Sequence, residues 1–332
     1  MKKSNKYFWS WFYFVFVLLV ITSITWWLAV KKGVFYQEPK HSVTLFTTTE
    51  LPFIEATPSA EFAGSPKELE EYISAKAFFV VDNTTKTVIL EKNPQLPLPP
   101  ASTTKLMTIL SALKLYDLDE IVTVSTASAL DHDGGGLFPL ERIKVRDLAA
   151  AALVQSANDA AFALADNFYR ENDEILGAGS FVKEMNKNAQ ALHLTSTRFE
   201  NPVGYDHPDN ISTARDLAVL TMRVFKEAPI AEWMGLRSYI AENETGSIRH
   251  FLFSTNVLLG REEGVIAGKT GTTPLAKEVL ITISKIKNHE YIIVILGSDD
   301  RYNDTKILLH YVRDNIQWKE VEFPLQIIGK DL

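Results

Sequence analysis

The segment "LPPASTTKLMTIL", Leu98 to Leu110, places a serine two residues after a double proline and a lysine three residues beyond that serine. A serine that follows prolines is a favourable helix start, because its side-chain oxygen can accept a backbone N–H that has no partner inside the helix. Capping alone does not require Lys105, whereas residues three apart share a helix face, so the Lys105 amine can reach the Ser102 hydroxyl. Since a lysine beside a serine can remove its proton, we predict a helix from Ser102 to about Tyr116 that carries a nucleophile and its base.

The Ser-x-x-Lys spacing is a weak signal by itself. Ser111 lies nine residues after Ser102, so at about 100° per residue it faces the opposite side of the same helix. Ser180 falls at a predicted helix start and Ser284 in a predicted strand, and we expect a surface role for both. The pattern occurs four times, at Ser102–Lys105, Ser111–Lys114, Ser180–Lys183 and Ser284–Lys287.

Two downstream elements distinguish Ser102 from the other three serines. They are "SAND", Ser156 to Asp159, and "KTG", Lys269 to Gly271. Penicillin-binding proteins and class A β-lactamases combine Ser-x-x-Lys with a Ser-x-Asn element and Lys-Thr-Gly. Lys105 can act as a base only while its amine is neutral, and burial and a second cation such as Lys269 both lower a lysine pKa.

The remaining polar groups of these elements have separate chemical roles. Ser156 can relay a proton between the lysines and the leaving amine, and Asn158 can hydrogen-bond a substrate amide. The backbone N–H groups of Ser102 and Thr272 can form an oxyanion hole. Lys269, Thr270 and an arginine can hold a substrate carboxylate.

Longer stretches occur together with these motifs, in a fixed order along the chain. They are "PASTTKLMT", "VRDLAAAALVQSANDAAFALA", "HLTSTRFENPVGYDHPDNISTARDLAVL", "STNVLL" and "GVIAGKTGTT". On these residues the chain resembles the D-alanyl-D-alanine carboxypeptidases of the low-molecular-weight penicillin-binding proteins, over about Ser74 to Val312.

The resemblance implies an α+β fold of the β-lactamase/transpeptidase type, with an antiparallel sheet packed by helices. It also implies an acyl-enzyme on the motif serine, a peptidoglycan stem peptide ending in D-Ala-D-Ala as substrate, β-lactam antibiotics as covalent inhibitors, and no cofactor or metal. In "GSDDRYNDTKILL", Arg301 stands before the last predicted helix, as the family's carboxylate-binding arginine does. The residues carried over are Ser102, Lys105, Ser156, Asn158 and Lys269 as catalytic, and Thr270, Gly271, Thr272 and Arg301 as substrate-binding.

The chain departs from the family pattern at two places near the site. Gly268 stands just before Lys-Thr-Gly, where family members usually have leucine, isoleucine or valine, and we expect it to loosen the strand locally. The loop "DHDGGGLFPLE" has a third glycine where the family often has a serine.

The N-terminal part of the chain reads as a membrane anchor. Phe8 to Val30, "FWSWFYFVFVLLVITSITWWLAV", is uncharged over 23 residues, which is long enough to span a bilayer, and has tryptophans near both ends. The tryptophans and lysines that follow do not resemble a signal-peptidase site. We therefore predict a single-pass protein of the bacterial cell membrane whose catalytic domain lies outside the cytoplasm. The predicted segments are a cytoplasmic tail (1–7), the transmembrane helix (8–30), a flexible linker (31–68), the catalytic domain (69–318) and a short C-terminal tail (319–332).

The pattern of elements after the linker predicts one α+β domain. Apolar runs at 77–82, 86–91, 264–271, 278–287 and 290–298 predict strands at both ends of the domain, and the helices predicted between them span 102–116, 145–169 with a break near Ser156, 180–192 and 213–226. A last amphipathic helix is expected at about 304–317. We therefore expect the two ends of the domain to complete one sheet.

Composition excludes several kinds of function. The net charge of −7 argues against a nucleic-acid partner, which requires a basic face. The chain has no cysteine, so disulfides, thiol nucleophiles and Cys-ligated metals are excluded. "DHD" at Asp131 to Asp133 offers metal-type ligands, but Arg142 occupies the position where an EF-hand loop has its glutamate. His193 and His207 are expected to be structural or surface residues.

Three functions remain open on the sequence. The first is a carboxypeptidase, or a closely related endopeptidase, acting on stem peptides. The second is a β-lactamase, which needs a further carboxylate to activate the deacylating water. Glu184 with Asn188 offers Glu-x-x-x-Asn, but its place within a predicted helix fits a solvated face better. The third is a non-catalytic muropeptide-binding regulator, which the intact set of motif residues disfavours.

Overall fold

A sheet built from both ends of the predicted domain at 69–318 organises the fold. The computed structural model describes residues 54–55, 69–131, 133–168 and 176–318, all within the compact unit Thr48–Leu332. In chain order the elements are β1 (Ile54–Glu55), β2 (Ala77–Asp82), β3 (Thr87–Lys92), a 3₁₀ turn (Ala101–Thr104), α1 (Lys105–Leu115), β4 (Ile121–Thr123), α2 (Thr126–Ala129), β5 (Arg142–Lys144), α3 (Val145–Val154), α4 (Asn158–Asp166), α5 (Gly177–Ala191), α6 (Ala214–Val224), α7 (Ala228–Gly235), β6 (Ser238–Glu242), β7 (Arg249–Phe253), β8 (Val265–Thr273), β9 (Lys277–Ile286), β10 (His289–Ser298) and α8 (Arg301–Asn315).

The main sheet has six strands in the order β1-β3-β2-β10-β9-β8. All neighbours are antiparallel except β1, which pairs in parallel with β3 at Ile54 and Glu55, inside the segment predicted as a linker. The five strands predicted from apolar runs are all formed, and the N-terminal β2 lies directly against the C-terminal β10. The expectation that the two ends of the domain complete one sheet is therefore confirmed.

Both faces of this sheet are covered by helices, and β2 shows why its sequence is apolar throughout. Successive side chains of a strand point to opposite faces. Phe79 and Val81 pack into the larger core with the helices of the middle of the chain, whereas Phe78 and Val80 pack into a second core with α8. A strand buried on both faces reads as a continuous apolar run rather than an alternating one.

The predicted helix at Ser102 forms, but it does not begin as expected. Residues Ala101–Thr104 make a 3₁₀ turn, the α-helix begins at Lys105, and neither start has a side-chain cap. Ser102 therefore does not take the capping role that a serine after prolines favours. Its hydroxyl oxygen lies 2.9 Å from the Lys105 amine instead, which is the contact expected from the spacing.

The predicted break in the next helical segment is confirmed. Helix α3 ends at Val154 and α4 begins at Asn158, and Ser156 between them has a left-handed backbone with φ 65°. For a residue with a β-carbon this conformation is uncommon and costs free energy. It turns the chain so that Ser156 and Asn158 both face the same groove.

Five short parts of the fold were not predicted. They are strand β1, helix α2, the hairpin β4–β5, helix α7 and the hairpin β6–β7. Strands of two to five residues carry too little periodicity to be recognised. Ser284 was also misjudged: it is fully buried in β9, because that strand, like β2, is covered on both faces.

The predicted membrane anchor falls outside the part of the chain that the structure describes. Within residues 54–55, 69–131, 133–168 and 176–318, no helix has both the length and the apolar character needed to cross a bilayer. Phe8–Val30, the two predicted tails and most of the predicted linker lie outside the described residues.

Candidate active site

The centre of the site is the Lys105 amine, on the first turn of α1. Its Nζ lies 2.9 Å from Ser102 Oγ, 2.7 Å from Asn158 Oδ1 and 3.0 Å from the carbonyl oxygen of Val203. The lysine side chain has no exposed surface. The structure thus brings the predicted base within hydrogen-bond distance of the predicted nucleophile.

Burial makes this lysine a base near neutral pH. Removal from water lowers the pKa of Lys105 to about 7, even though the carboxylates of Asp131, Asp133 and Asp159 act to raise it. The second cation, Lys269, has its own pKa lowered well below the usual value, first by burial and then by Lys105 and Arg301. Of the two causes expected from the sequence, burial and a second cation, burial is therefore the main one for the lowered Lys105 pKa.

Lys269 on β8 holds the serine of the second motif. Its Nζ donates to Ser156 Oγ at 2.8 Å and to the carbonyl of Thr270 at 2.9 Å. The predicted relay through Ser156 thus has a contact to Lys269, whereas Lys105 contacts Asn158. Each of the two motif lysines is thus paired with a different residue of the Ser-x-Asn element.

The glycine loop is fastened to the site by Asp159. The buried carboxylate of Asp159 accepts the N–H of Gly135 at 2.7 Å and that of Leu137 at 3.0 Å. A β-carbon at Gly134 would lie 2.4 Å from Asp159 Oδ2, so the close approach requires glycine at this position. The carbonyl of Asp133 accepts the Asn158 N–H at 3.1 Å, which sets the loop at the rim of the groove.

The glycine of Lys-Thr-Gly lets β8 pass directly beside the nucleophile. A β-carbon on Gly271 would lie 2.9 Å from both Ala101 Cβ and the backbone nitrogen of Ser102. Contacts this short force a neighbour to move. The predicted oxyanion-hole N–H of Ser102 therefore depends on a bare backbone at Gly271.

Gly268 has a different role from the one expected. Rather than loosening the strand, it pairs in the ladder with Thr282, and the irregularity of β8 lies earlier, between Val265 and Ala267. A β-carbon on Gly268 would lie 2.6 Å from Asn256 Nδ2 and 2.6 Å from the carbonyl oxygen of Ile281. Gly268 thus makes room for the buried Asn256 amide.

The predicted carboxylate-binding residues lie at one end of the groove. Thr270 Oγ1 is hydrogen-bonded to Thr255 Oγ1 at 2.5 Å, and Thr272 is exposed at the sheet edge. Arg301 Nη1 donates to the carbonyl of Gly271 at 2.7 Å, while its Nη2 is 3.5 Å from Glu278. The guanidinium is therefore held against β8, and Nη2 has only a long contact within the described residues.

Helix α8 begins at Arg301, three residues before the predicted start. Asp300 caps it by accepting the Asn303 N–H at 3.0 Å, and the buried Asp304 accepts hydroxyls of Ser74 and Ser298 at 2.8 and 2.6 Å. A cation in the first turn of a helix opposes the helix dipole. The position of Arg301 is thus set by the fold against a local electrostatic preference.

These groups surround a single groove. It has a volume of about 490 Å³, and Lys105 and Lys269 lie buried beneath its wall. The predicted site residues that line it are Ser102, Ser156, Asn158, Thr270, Gly271, Thr272 and Arg301.

Further residues line the groove that the sequence did not identify as functional. They include Asp133, Tyr205 and Thr255. Tyr205 and Thr255 lie within the quoted stretches "NPVGYDHPDN" and "STNVLL", but nothing in those letters shows which side chains face the site. The carbonyl of Val203 has no sequence signal at all.

The other candidate groups lie apart from this chemistry. Glu184 is on α5, 3.3 Å from Lys187, and is not among the described residues that line the groove. His193 is exposed just after α5. Glu200, His207 and Asp209 place side-chain atoms that could ligate a metal within 4.8 Å of one another. Glu200 also forms an ion pair with Arg198 at 2.6 Å. Within "DHD", His132 lies outside the described residues.

Known proteins are similar to this chain in sequence and in fold. Peptidase S11, the D-alanyl-D-alanine carboxypeptidase family, matches residues 63–300. The chain is 31% identical over 231 residues to D-alanyl-D-alanine carboxypeptidase DacF of Bacillus subtilis, covering 68% of this chain and 57% of that protein. It is 28% identical over 273 residues to D-alanyl-D-alanine endopeptidase of Pseudomonas aeruginosa, covering 78% of this chain and 82% of that protein.

A solved structure agrees with these relatives. The crystal structure of the Streptomyces K15 DD-transpeptidase superposes with a TM-score of 0.67 at 29% identity, covering 72% of this chain and 97% of that one. The family match extends over more than half of the chain and includes every residue of the three motifs. The chain belongs to the D-alanyl-D-alanine carboxypeptidase family.

Proposed function

We propose that this chain is a serine-type D-alanyl-D-alanine carboxypeptidase that removes the terminal D-Ala from peptidoglycan stem peptides. One observation carries the proposal: a fully buried lysine amine, with a pKa lowered to about 7, lies 2.9 Å from the hydroxyl of Ser102. A serine hydroxyl becomes an effective nucleophile when an adjacent neutral base takes its proton.

Acylation follows from the contacts of these groups. Neutral Lys105 accepts the Ser102 proton while Oγ attacks the carbonyl carbon of the penultimate D-Ala. The negative charge that develops on the carbonyl oxygen is stabilised by the N–H groups of Ser102 and Thr272. Asn158, which holds Lys105 through Oδ1, has N–H groups at Nδ2 for the backbone carbonyl of the peptide.

Release of the leaving group uses the second lysine pair. The scissile C–N bond breaks as Ser156, held by Lys269 at 2.8 Å, donates its hydroxyl proton to the leaving amine. The proton that Lys105 took from Ser102 then replaces it on Ser156, which leaves Lys105 neutral for deacylation. The terminal D-Ala leaves with its carboxylate near Thr270 and Arg301. Water then hydrolyses the ester on Ser102, with Lys105 again as the base.

Penicillin labelling tests the nucleophile directly. We expect a fluorescent penicillin to label the wild-type protein and not Ser102→Ala. Ser111→Ala is the matched control, since Ser111 has the same spacing to Lys114 but is buried on the far side of α1, where it accepts from Asn188 at 2.9 Å. Labelling that survives in Ser102→Ala would contradict the proposal.

The lifetime of the adduct separates the alternatives. A carboxypeptidase is expected to lose the penicilloyl group slowly, a β-lactamase rapidly, and a non-catalytic regulator would not be labelled. Glu184 is not among the described residues that line the groove, so it offers no base there for rapid deacylation. Release of D-Ala from a pentapeptide, compared with cleavage of a crosslinked dimer, distinguishes carboxypeptidase from endopeptidase activity.

We also propose that Phe8–Val30 anchors the protein in the bacterial cell membrane with the catalytic domain outside the cytoplasm. The uncharged length and the flanking tryptophans support this. The mature protein should keep its N-terminus and stay in membranes through washes with high salt or alkali. A soluble mature chain that begins near Lys31 would contradict it.

A further inference from the structure

Tyr205 is held rigidly beside the nucleophile by a loop with two asparagines. Asn201 Oδ1 accepts the backbone N–H groups of Gly204 at 2.7 Å and Tyr205 at 2.9 Å. The carbonyl of Tyr205 accepts from Nδ2 of Asn201 at 3.1 Å and of Asn210 at 3.0 Å. A β-carbon on Gly204, whose φ is 92°, would lie 1.8 Å from the carbonyl oxygen of Ala101, so the loop lies directly against the turn that carries Ser102.

The Tyr205 hydroxyl joins two groups of the site. It accepts from Asn158 Nδ2 at 3.0 Å and donates a short hydrogen bond to Asp131 Oδ2. Burial and the Asp131 carboxylate raise the pKa of Tyr205, so it stays protonated and its proton points to Asp131. The lone pairs of its oxygen therefore face Asn158. The centroid of the Tyr205 ring lies 6.1 Å from the centroid of the Phe162 ring.

The hydrogen bond from Asn158 matters because an amide has two unlike ends. Oδ1 of Asn158 accepts from Lys105 at 2.7 Å, and Nδ2 donates to Tyr205. A flipped amide would turn its N–H₂ toward the lysine and its oxygen toward the tyrosine oxygen, and would lose both hydrogen bonds. One hydrogen of Asn158 Nδ2 is bonded to the Tyr205 oxygen. Because the amide group is planar, the second hydrogen then has a fixed direction.

We propose that Tyr205, oriented by Asp131, is a positioning residue that fixes the Asn158 amide for recognition of the amide carbonyl on the acyl side of the scissile bond. The inference rests on the proposed function and deepens it. It assigns the acyl-side specificity of the site to a chain of three side chains: Asp131, Tyr205 and Asn158.

The test compares acylation of Ser102 by two penicillins. Benzylpenicillin has a side-chain amide, the group that Asn158 would bind, whereas 6-aminopenicillanic acid has a free amine there. In Tyr205→Phe, which keeps the ring against Phe162, we expect the acylation rate constant for benzylpenicillin to fall about tenfold, as expected for loss of one hydrogen bond. The rate constant for 6-aminopenicillanic acid should change by less than about twofold.

Asp131 provides a second, independent variant pair. Asp131→Ala frees the Tyr205 hydroxyl and should reproduce the selective loss. Asp131→Asn keeps an acceptor for that hydroxyl and should keep the ratio of the two rate constants. Both substitutions remove the negative charge of Asp131, which raises the pKa of Lys105. The other charged groups near Lys105 are Asp133, Asp159 and Lys269. The acidic limb of the pH profile should therefore move to lower pH in both.

Tyr239→Phe is the matched control. Its hydroxyl also donates to a carboxylate, Asp147 Oδ1 at 2.9 Å, but it is not among the described residues that line the groove. Both acylation rate constants should be unchanged in this variant. An equal loss for both penicillins in Tyr205→Phe, or no loss for either, would overturn the inference while leaving the proposed function intact. A wild-type protein that neither penicillin acylates would overturn both.

Discussion

The pH dependence of acylation is the most direct consequence of the buried base. Lys105 must be neutral to accept the Ser102 proton, and burial lowers its pKa to about 7. A lysine with the ordinary pKa near 10.4 would be neutral in only about one molecule in 2,500 at pH 7. Burial therefore raises the reactive fraction by about three orders of magnitude.

The sign and size of the effect follow from this pKa. Below the pKa the lysine is charged, so kcat/KM should fall about tenfold for each pH unit. The rate at pH 7 should be about half of the plateau, at pH 6 about a tenth and at pH 5 about a hundredth. Above about pH 8 nearly all of the Lys105 amine is neutral, so kcat/KM should have reached its plateau.

The assay measures the second-order rate constant for labelling by a fluorescent penicillin from pH 5 to 9. This second-order rate constant, like kcat/KM, reports the reactivity of the free enzyme. The pH profile therefore gives the pKa of Lys105 before penicillin binds. Near-ultraviolet circular dichroism at each pH serves as a control that the protein stays folded. A rate that is flat between pH 5 and 8, or an acidic limb centred above pH 9, would refute Lys105 as a buried neutral base.

Three further predictions follow from particular contacts. Arg301→Ala should lower kcat/KM for a peptide ending in D-Ala-D-Ala by about tenfold to a hundredfold, through loss of a charge-assisted hydrogen bond, and much less for the amidated peptide. Equal losses on both peptides would mean that its bond to the Gly271 carbonyl matters more than any substrate carboxylate. Gly271→Ala should slow penicillin labelling at least about tenfold, because its β-carbon would crowd the Ser102 nitrogen. Gly179→Ala, at a position with nothing within 4 Å, should label normally. Lys105→Met should abolish labelling yet raise the Tm at pH 8 to 9, where the unfolded chain binds a proton that the folded lysine has largely given up, and an unchanged or lower Tm would contradict this.

The parts of the site that the sequence predicted are those fixed by short-range spacing. Ser102 and Lys105 are three residues apart on one helical stretch, so helix geometry alone places their side chains together. The break at Ser156 could be placed because the motif interrupts an otherwise alanine-rich helical run. The strands of the main sheet were predictable because burial on both faces leaves long apolar runs.

The parts that could not be predicted depend on contacts between distant segments. The lysine that Ser156 contacts was open on the sequence, and only the fold assigns it to Lys269. The prediction for Gly268 rested on the low strand propensity of glycine. Its role in the structure is steric, because the missing side chain leaves space for Asn256. The hydroxyl of Tyr205 reaches Asn158 across 47 positions of the chain, and no local pattern encodes that distance.

The two buried lysines show how stability and catalysis are balanced in this fold. Neither Lys105 nor Lys269 keeps an ordinary pKa, which means that folding discourages the charged form of both amines. The fold tolerates this cost in stability because apolar cores cover both faces of the sheet. The stabilisation from burying their apolar side chains exceeds the destabilisation from the two buried amines. The same burial that opposes a charged Lys105 makes it a base at neutral pH. A mutation that let water reach Lys105 would therefore relieve the folded protein of this electrostatic cost and, by returning the lysine pKa toward its ordinary value, deprive Ser102 of its base.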